Sequence, residues 1–173
     1  MMYILKVDNL TRKNEFYNIS FNVKRGEILG FFGLMGAGRT EVMDTIFGLR
    51  KADKGTVILK NKEMGSVKKA ISNGMAYITE DRKASGLNLI GSVKDNISIA
   101  YMNLITKGKF LLDFKKEKKI CDNLIEKIRI KCASHDTLAG NLSGGNQQKI
   151  VIAKWFMGNP DLLIMDEPTR GID

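Results

Sequence analysis

Apolar and polar residues alternate along Tyr3–Val7 ("YILKV") and Ile19–Val23 ("ISFNV"), which predicts two strands with one buried face each. "KRG" then turns the chain into Glu27–Phe32 ("EILGFF"), a near-continuous apolar run that predicts a strand buried on both faces. After the glycine-rich stretch Gly33–Gly38 the period changes. Val42, Ile46 and Leu49 fall on one side of a helix that starts at Arg39, with Gly48 near its end. Thr56–Lys60 and Met75–Thr79 read as further strands, and from about Gly86 to Asn141 helical patterns dominate. In "DFKKEKKICDNLIEKIRI", Asp113 is the expected N-cap, and Ile120, Leu124 and Ile128 with Cys121 and Ile125 form the apolar stripe. A last buried strand is expected in "LLIMDEP", Leu162–Pro168. The order predicts one α/β domain: a core made by residues 1–85 and 151–173, interrupted by a helical subdomain, residues 86–150. Within the 173 residues no helix follows the last strand to cover it, so the sequence reads as a fragment of a longer protein.

Composition adds few constraints. With 43% hydrophobic and 27% charged residues, 173 residues can build one domain with a real core. No uncharged run approaches the roughly 18 apolar residues of a membrane helix, and "MMYILKVDNL" lacks the cleavage site of a signal peptide. Cys121 and Cys132 form no C-x-x-C pair, which fits a reducing compartment. The net charge of +9 is compatible with nucleic acid, acidic lipid or polyphosphate, and equally with a lysine-rich solvated surface. Lys115, Lys116, Lys118 and Lys119 interleave with Glu117 and lack aromatic partners; they read as the exposed face of a helix.

Three motifs carry candidate chemistry. "GLMGAGRT" has Gly33, Gly38 and Thr40 where the phosphate-binding pattern G-x-x-x-x-G-K-[ST] requires them, with Gly36 between. A strand leads in and a helix leads out. Glycines let backbone N–H groups turn toward phosphate oxygens, the helix start adds a positive dipole end, and the Thr40 hydroxyl can ligate Mg²⁺. The usual lysine is Arg39, which keeps the charge but replaces a compact ammonium with a planar fork. A purely structural glycine turn is the alternative. In "LLIMDEPT" an apolar strand ends in two carboxylates: Asp166 to hold Mg²⁺ through water, Glu167 to polarise an attacking water as the catalytic base. Two surface acids at a strand end are the alternative. In "LSGGNQQK", Ser143, Gly144 and Gly145 open a helix and make a second anion cradle, or an ordinary serine cap.

The combination is more specific than its parts. A P-loop, a helical insertion, S-G-G-x-Q and an acidic strand end with Ser143 standing 23 residues before Asp166 resemble the nucleotide-binding domain of ABC transporters over essentially the whole chain. The resemblance implies a P-loop NTPase core, with a mixed or parallel sheet flanked by helices, an N-terminal antiparallel β portion and a helical insertion. It makes "LSGGNQQ" the signature, "LLIMDE" the Walker B strand and Gly171–Asp173 the D-loop. "YITEDRK" takes the Q-loop position with Glu80 in place of glutamine. Together with "GLMGAGRTE" and "DEPTRGID", it is similar to the second ATP-binding half of bacterial monosaccharide importers of the ribose, galactose and xylose type. ATP and Mg²⁺ are the implied cofactors. Gly33, Gly36, Gly38, Arg39, Thr40 and Glu80 would face one nucleotide, and Ser143, Gly144, Gly145, Gln147 and Asp173 contribute to nucleotide binding across a pair. Phe16 and Tyr17 are the candidates for stacking on adenine. His135, the single histidine, matches no family position and reads as a surface or turn residue.

The resemblance further implies a head-to-tail pair at the cytoplasmic face of a bacterial membrane. The partners would be a first ATP-binding half or second ATPase subunit, a sugar permease and, indirectly, a sugar-binding protein, with no nucleic acid. The permease would dock near the segments after Tyr77 and Gly86. An intact signature beside an altered P-loop implies a division of labour: a low-turnover site of its own, and a signature completing the partner's site. The isolated fragment is expected to hydrolyse ATP weakly or not at all. Two other readings remain: a soluble ABC protein acting on ribosomes or DNA, marked by salt-dependent nucleic-acid binding, and a non-catalytic nucleotide sensor, marked by binding without turnover.

Overall fold

The structure, a computed structural model, describes residues 3–34, 36–79, 86–108 and 111–167. The chain forms two compact units, residues 1–76 with 161–164 and residues 77–160 with 165–173. Glu80 and the Gly171–Asp173 segment lie outside the described residues.

The first unit is built on β1 (Tyr3–Arg12), β2 (Phe16–Lys24), β3 (Lys54–Leu59) and β4 (Lys62–Glu63), in the sheet order β2-β1-β3-β4. β1 lies antiparallel to both its neighbours, with Leu5 opposite Leu59 and Val7 opposite Val57. All four side chains are buried, so this cross-strand register is set by the apolar face. Helix α1 (Arg39–Phe47) buries Val42, Ile46 and Phe47. Burying a side chain of the size of Ile46 or Phe47 contributes about 1.5–3 kcal/mol, which anchors the last turn of the helix. Leu49 falls outside the expected stripe: the helix ends at Phe47 and Leu49 is exposed. Gly48 ends it at φ 90°, with the Ser66 backbone only 2.6 Å from where a Cβ would stand. Helix α2 (Val67–Ser72) is too short for its periodicity to show; its only sequence signal is Ser66, which caps it by accepting from the Lys69 amide.

Two further two-stranded sheets pair β5 (Met75–Ile78) with β8 (Leu162–Met165), and β6 (Thr106–Lys107) with β7 (Leu111–Leu112). β8 is shorter and less covered than expected, with Met165 exposed. The largest departure is Glu27–Phe32. It is not a strand, and Ile28 (97%) and Phe32 (100%) are almost fully exposed. A strand apolar on both faces needs hydrogen-bonded neighbours and two covering layers. Among the described residues no strand pairs with this segment, and the ring of Phe31 packs edge-on against Phe21 at 5.0 Å.

The second unit packs α3 (Val93–Ser98) against α4 (Phe114–Ile128) and α5 (Gly144–Phe156). α3 is short. After Ser98 the chain tightens into a 3-10 stretch, Ile99–Ile105, interrupted at Tyr101 (φ −136°). α3 starts with a capping box between Ser92 and Asp95, which holds the Asp95 carboxyl below its usual range mainly through the serine hydrogen bonds. Asp113 caps α4 by accepting from the Lys116 amide, as its sequence predicts. The lysines of α4 are exposed, but Glu117 among them is buried: its Oε1 accepts from the Ser98 hydroxyl at 2.6 Å. His135 sits in a turn yet is held between carboxylates, Nδ1 2.8 Å from Asp122 and Nε2 3.4 Å from Asp136. Both cysteines are free, and burial pushes the Cys121 thiol up to about 12.

One buried charge stands out. Lys154 on α5 is 8% exposed; its Nζ donates to the Gly86 carbonyl at 2.7 Å and lies 5.1 Å from the Trp155 ring centre. Burial pushes this lysine down to about 8 from the ordinary 10.5. Between those values the unfolded chain binds more protons than the folded one, so this group's contribution to stability rises with pH across that window. Against a Lys154→Met variant, the wild type is expected to gain on the order of 2–3 kcal/mol between pH 7 and pH 11. Denaturant unfolding of both proteins across that range checks it; a pH-independent difference would contradict the buried-cation account.

Candidate functional site

The glycine-rich stretch lies in the first unit. Gly36 (φ 78°) and Gly38 (φ 81°) both adopt the left-handed conformation that favours glycine. Gly38 is the N-cap of α1, and no side chain caps the helix. A helix start of this kind is where backbone N–H groups can meet an anion. Among the described residues nothing lies within 4 Å of a Cβ built on Gly36, whereas one on Gly38 would stand 3.2 Å from the Glu15 carbonyl oxygen. Arg39 and Thr40 are half-buried at the head of the helix. The Arg39 stem folds back along Gly33, whose Cβ would meet Arg39 Cδ at 3.7 Å. The cationic side chain thus runs beside the loop. Of the two adenine candidates, Phe16 is buried in the core and cannot offer a face, whereas Tyr17 is 60% exposed. The Tyr17 phenol oxygen accepts from the Asn14 amide at 3.0 Å.

The acidic strand end and the third motif lie in the second unit. Asp166 is buried and its amide donates to the Ile78 carbonyl at 2.9 Å. Glu167 is exposed with φ 45°, a left-handed conformation uncommon for a residue with a side chain. Such strain concentrates where a side chain must be aimed, and it follows directly on the strand.

Ser143 precedes α5 but does not cap it; its Oγ accepts from Asn146 Nδ2 at 3.0 Å. Asn146 Oδ1 in turn accepts from the Lys131 amide. Gln147 points inward and is buried: its Nε2 donates to the Ala139 and Leu142 carbonyls at 3.2 and 3.1 Å, and its Oε1 has no partner among the described residues. It shores up the turn from beneath rather than standing at the exposed helix start. Ser143 is exposed, and Gly144 and Gly145 are half-buried. Among the described residues outside its own turn of helix, nothing comes within 4 Å of a Cβ on Gly145. A glycine in a helix costs about 0.5–1 kcal/mol relative to alanine, and packing against the described residues does not require one here.

Among the described residues no group of three or more His, Cys, Asp or Glu side chains could hold a metal. Also among the described residues, no helix is long and apolar enough to cross a membrane.

A left-handed glycine cap opening a helix with Arg-Thr, an acidic strand end and a serine–glycine helix start together define a nucleotide-binding cassette. The family model described as "ABC transporter" matches residues 16–170, and the chain belongs to that family. It is 49% identical over 172 residues to a ribose import ATP-binding protein of Clostridium tetani, covering 98% of this chain and 34% of that one. It is 45% identical over 175 residues to a galactose/methyl galactoside import ATP-binding protein of the same organism. The chain spans about a third of the length of the curated relatives it matches. In fold it is similar to a dimeric ATP-binding cassette in a post-hydrolysis state bound to ADP and Pi (TM-score 0.79, 20% identity, 98% of this chain and 76% of that one). It is also similar to cbiO1 of Clostridium perfringens, part of an ABC transporter complex (TM-score 0.74, 26% identity, 99% and 68%). The fold is therefore the α/β P-loop NTPase of ABC cassettes, with its antiparallel N-terminal sheet.

Proposed function

We propose that this chain is the second ATP-binding half of a bacterial monosaccharide importer, and that it works by division of labour within a head-to-tail pair. The observation that carries the reading is the open start of α5: Ser143 exposed and Gly145 uncrowded, on a chain whose own phosphate loop carries Arg39. The relatives named as ribose and galactose import proteins supply the substrate class.

The residues present fit ATP with Mg²⁺. Gly36 leaves room for a phosphate, and the uncapped helix after Gly38 offers backbone donors. Arg39 supplies positive charge beside the loop, and Thr40 and Asp166 are the candidate Mg²⁺ groups. Bound Mg²⁺ neutralises charge on the phosphates. Glu167 is the candidate base of this chain's own site, with Glu80 beside it, and Asp173 belongs with the groups that act across the pair. Losing the lysine contact costs about 1.5–3 kcal/mol on the scale of hydrogen bonds to charged groups. A barrier higher by that amount slows turnover by one to two decades. The site is then suited to hold nucleotide and keep the pair closed, while Ser143, Gly144 and Gly145 donate to a nucleotide held by the other half. The permease would dock on the segments after Tyr77 and Gly86.

Deleting the gene tests the physiological side. Uptake of labelled ribose or galactose is expected to fall to background and to return with the wild-type gene; unchanged uptake of ribose, galactose and xylose would overturn the assignment.

A further inference from the structure

The tip of the β1–β2 hairpin is fastened to α1 and to the segment after it by a charge network centred on Glu15. One carboxylate oxygen of Glu15 accepts from Arg12 Nε at 2.6 Å, and the other from Arg50 Nη1 at 3.1 Å. Arg50 Nε continues to Asp44 of α1 at 2.9 Å, and Arg12 Nη1 donates to the Lys51 carbonyl at 3.0 Å. The Lys13 amide donates to Asp53 at 2.8 Å. At the other end of the helix, the main-chain oxygen of Glu15 lies 3.2 Å from the Cβ position of Gly38. A single residue thus meets the start of α1 through its backbone and, through Arg50, the last turn of α1 through its side chain.

Stability alone is a poor reason for this arrangement. The Glu15 side chain is 24% exposed and that of Arg50 38%. Ion pairs with such access to solvent contribute about 0–1 kcal/mol each. What the network does fix is geometry: it holds the hairpin tip at one distance from the phosphate cradle. That tip carries two planar groups able to meet a base, the exposed ring of Tyr17 and the Arg12 guanidinium. The cradle itself is made from the chain's own backbone at Gly36 and Gly38 and does not use the Glu15 carboxylate.

We propose that Glu15 is a positioning residue that sets the base-facing hairpin tip in register with the phosphate cradle, so that base and phosphates of one nucleotide are bound together. This rests on the reading of residues 33–40 as a nucleotide site. Glu15 acts through Arg12 and Arg50 and need not touch the ligand.

The test compares Mg·ATP with inorganic tripolyphosphate, which has the phosphates but no base. Calorimetric titrations are made on the full-length protein as wild type, Glu15→Gln and Arg50→Gln. Glu15→Gln is expected to weaken ATP about tenfold, or about 1.4 kcal/mol, and to leave tripolyphosphate within twofold. Arg50→Gln moves ATP in the same direction, and the double variant loses less than the sum of the two singles, as coupled groups do. Should Glu15→Gln fold poorly, Arg50→Gln alone carries the test. Equal weakening of both ligands, or unchanged ATP affinity in both variants, overturns the proposal while leaving the nucleotide site standing. A wild type that binds neither ligand overturns the site reading, and the proposal falls with it.

Discussion

Replacing Ser143 with arginine in the full-length protein is expected to cut ATP turnover at least 100-fold while leaving the fold intact. Ser143 is exposed, its side chain accepts from Asn146, and among the described residues nothing outside its own turn crowds Gly145. A long cationic side chain there costs the chain little in stability, since surface substitutions usually fall within about 0.5 kcal/mol. On the proposed head-to-tail arrangement it blocks close approach of a second nucleotide-bearing surface and removes the hydroxyl proposed to donate to developing charge. Loss of a single such donor typically costs 10²–10³ in rate. Steady-state ATPase together with a thermal melt checks this. A variant that melts as the wild type does and still turns over at more than a third of its rate would remove the signature from the mechanism.

The second large effect is expected at Gly38. It combines φ 81° with a carbonyl oxygen 3.2 Å from any Cβ. Valine is β-branched and disfavours that conformation strongly, so Gly38→Val must shift the backbone at the start of α1. The shift moves the first-turn N–H groups by more than a hydrogen bond tolerates. Nucleotide affinity is expected to fall at least 30-fold, measured by calorimetry with Mg·ATP on the same full-length protein. Because α1 also buries Ile46 and Phe47, the helix itself should survive, which circular dichroism can verify. Retained affinity would mean that residues 33–40 are a structural turn.

The parts of the fold legible in the sequence are those whose signal is local. Alternation in Tyr3–Val7, the change of period at Arg39 and the cap at Asp113 each describe a segment that carries its own instructions. Segments whose conformation depends on distant partners were not legible. Glu27–Phe32 carries the pattern of a doubly buried strand, but a pattern states a demand for cover without naming what supplies it. Glu117 reads as one more charge among lysines, and only the three-dimensional placement of Ser98 shows why it is buried. Lys154 is concealed in the same way, since nothing near it in sequence announces the Gly86 carbonyl.

The candidate site divides similarly. Spacing nominated the glycines, Arg39, Thr40, Asp166 and Glu167 as candidates, because a glycine-rich loop before a helix and an acidic strand end are short local devices. It did not reveal that Gln147 turns inward, that Glu167 sits at φ 45°, or that Glu15 meets both ends of α1. Each of these depends on contacts or backbone strain that residue type alone does not encode. The choice between Phe16 and Tyr17 also needed the structure: two adjacent aromatics differ only in which face of the sheet they occupy.

The central claim is that this chain's own phosphate loop holds nucleotide while its signature serves another site. Rapid-quench hydrolysis by the full-length protein, loaded with two equivalents of labelled Mg·ATP, tests it most directly. The expected trace has two phases of equal amplitude, one ATP hydrolysed quickly and the other persisting at least tenfold longer, with Arg39→Lys drawing the slow phase toward the fast one. A single phase in which both ATP molecules are hydrolysed at one rate, unchanged by Arg39→Lys, would contradict the division of labour.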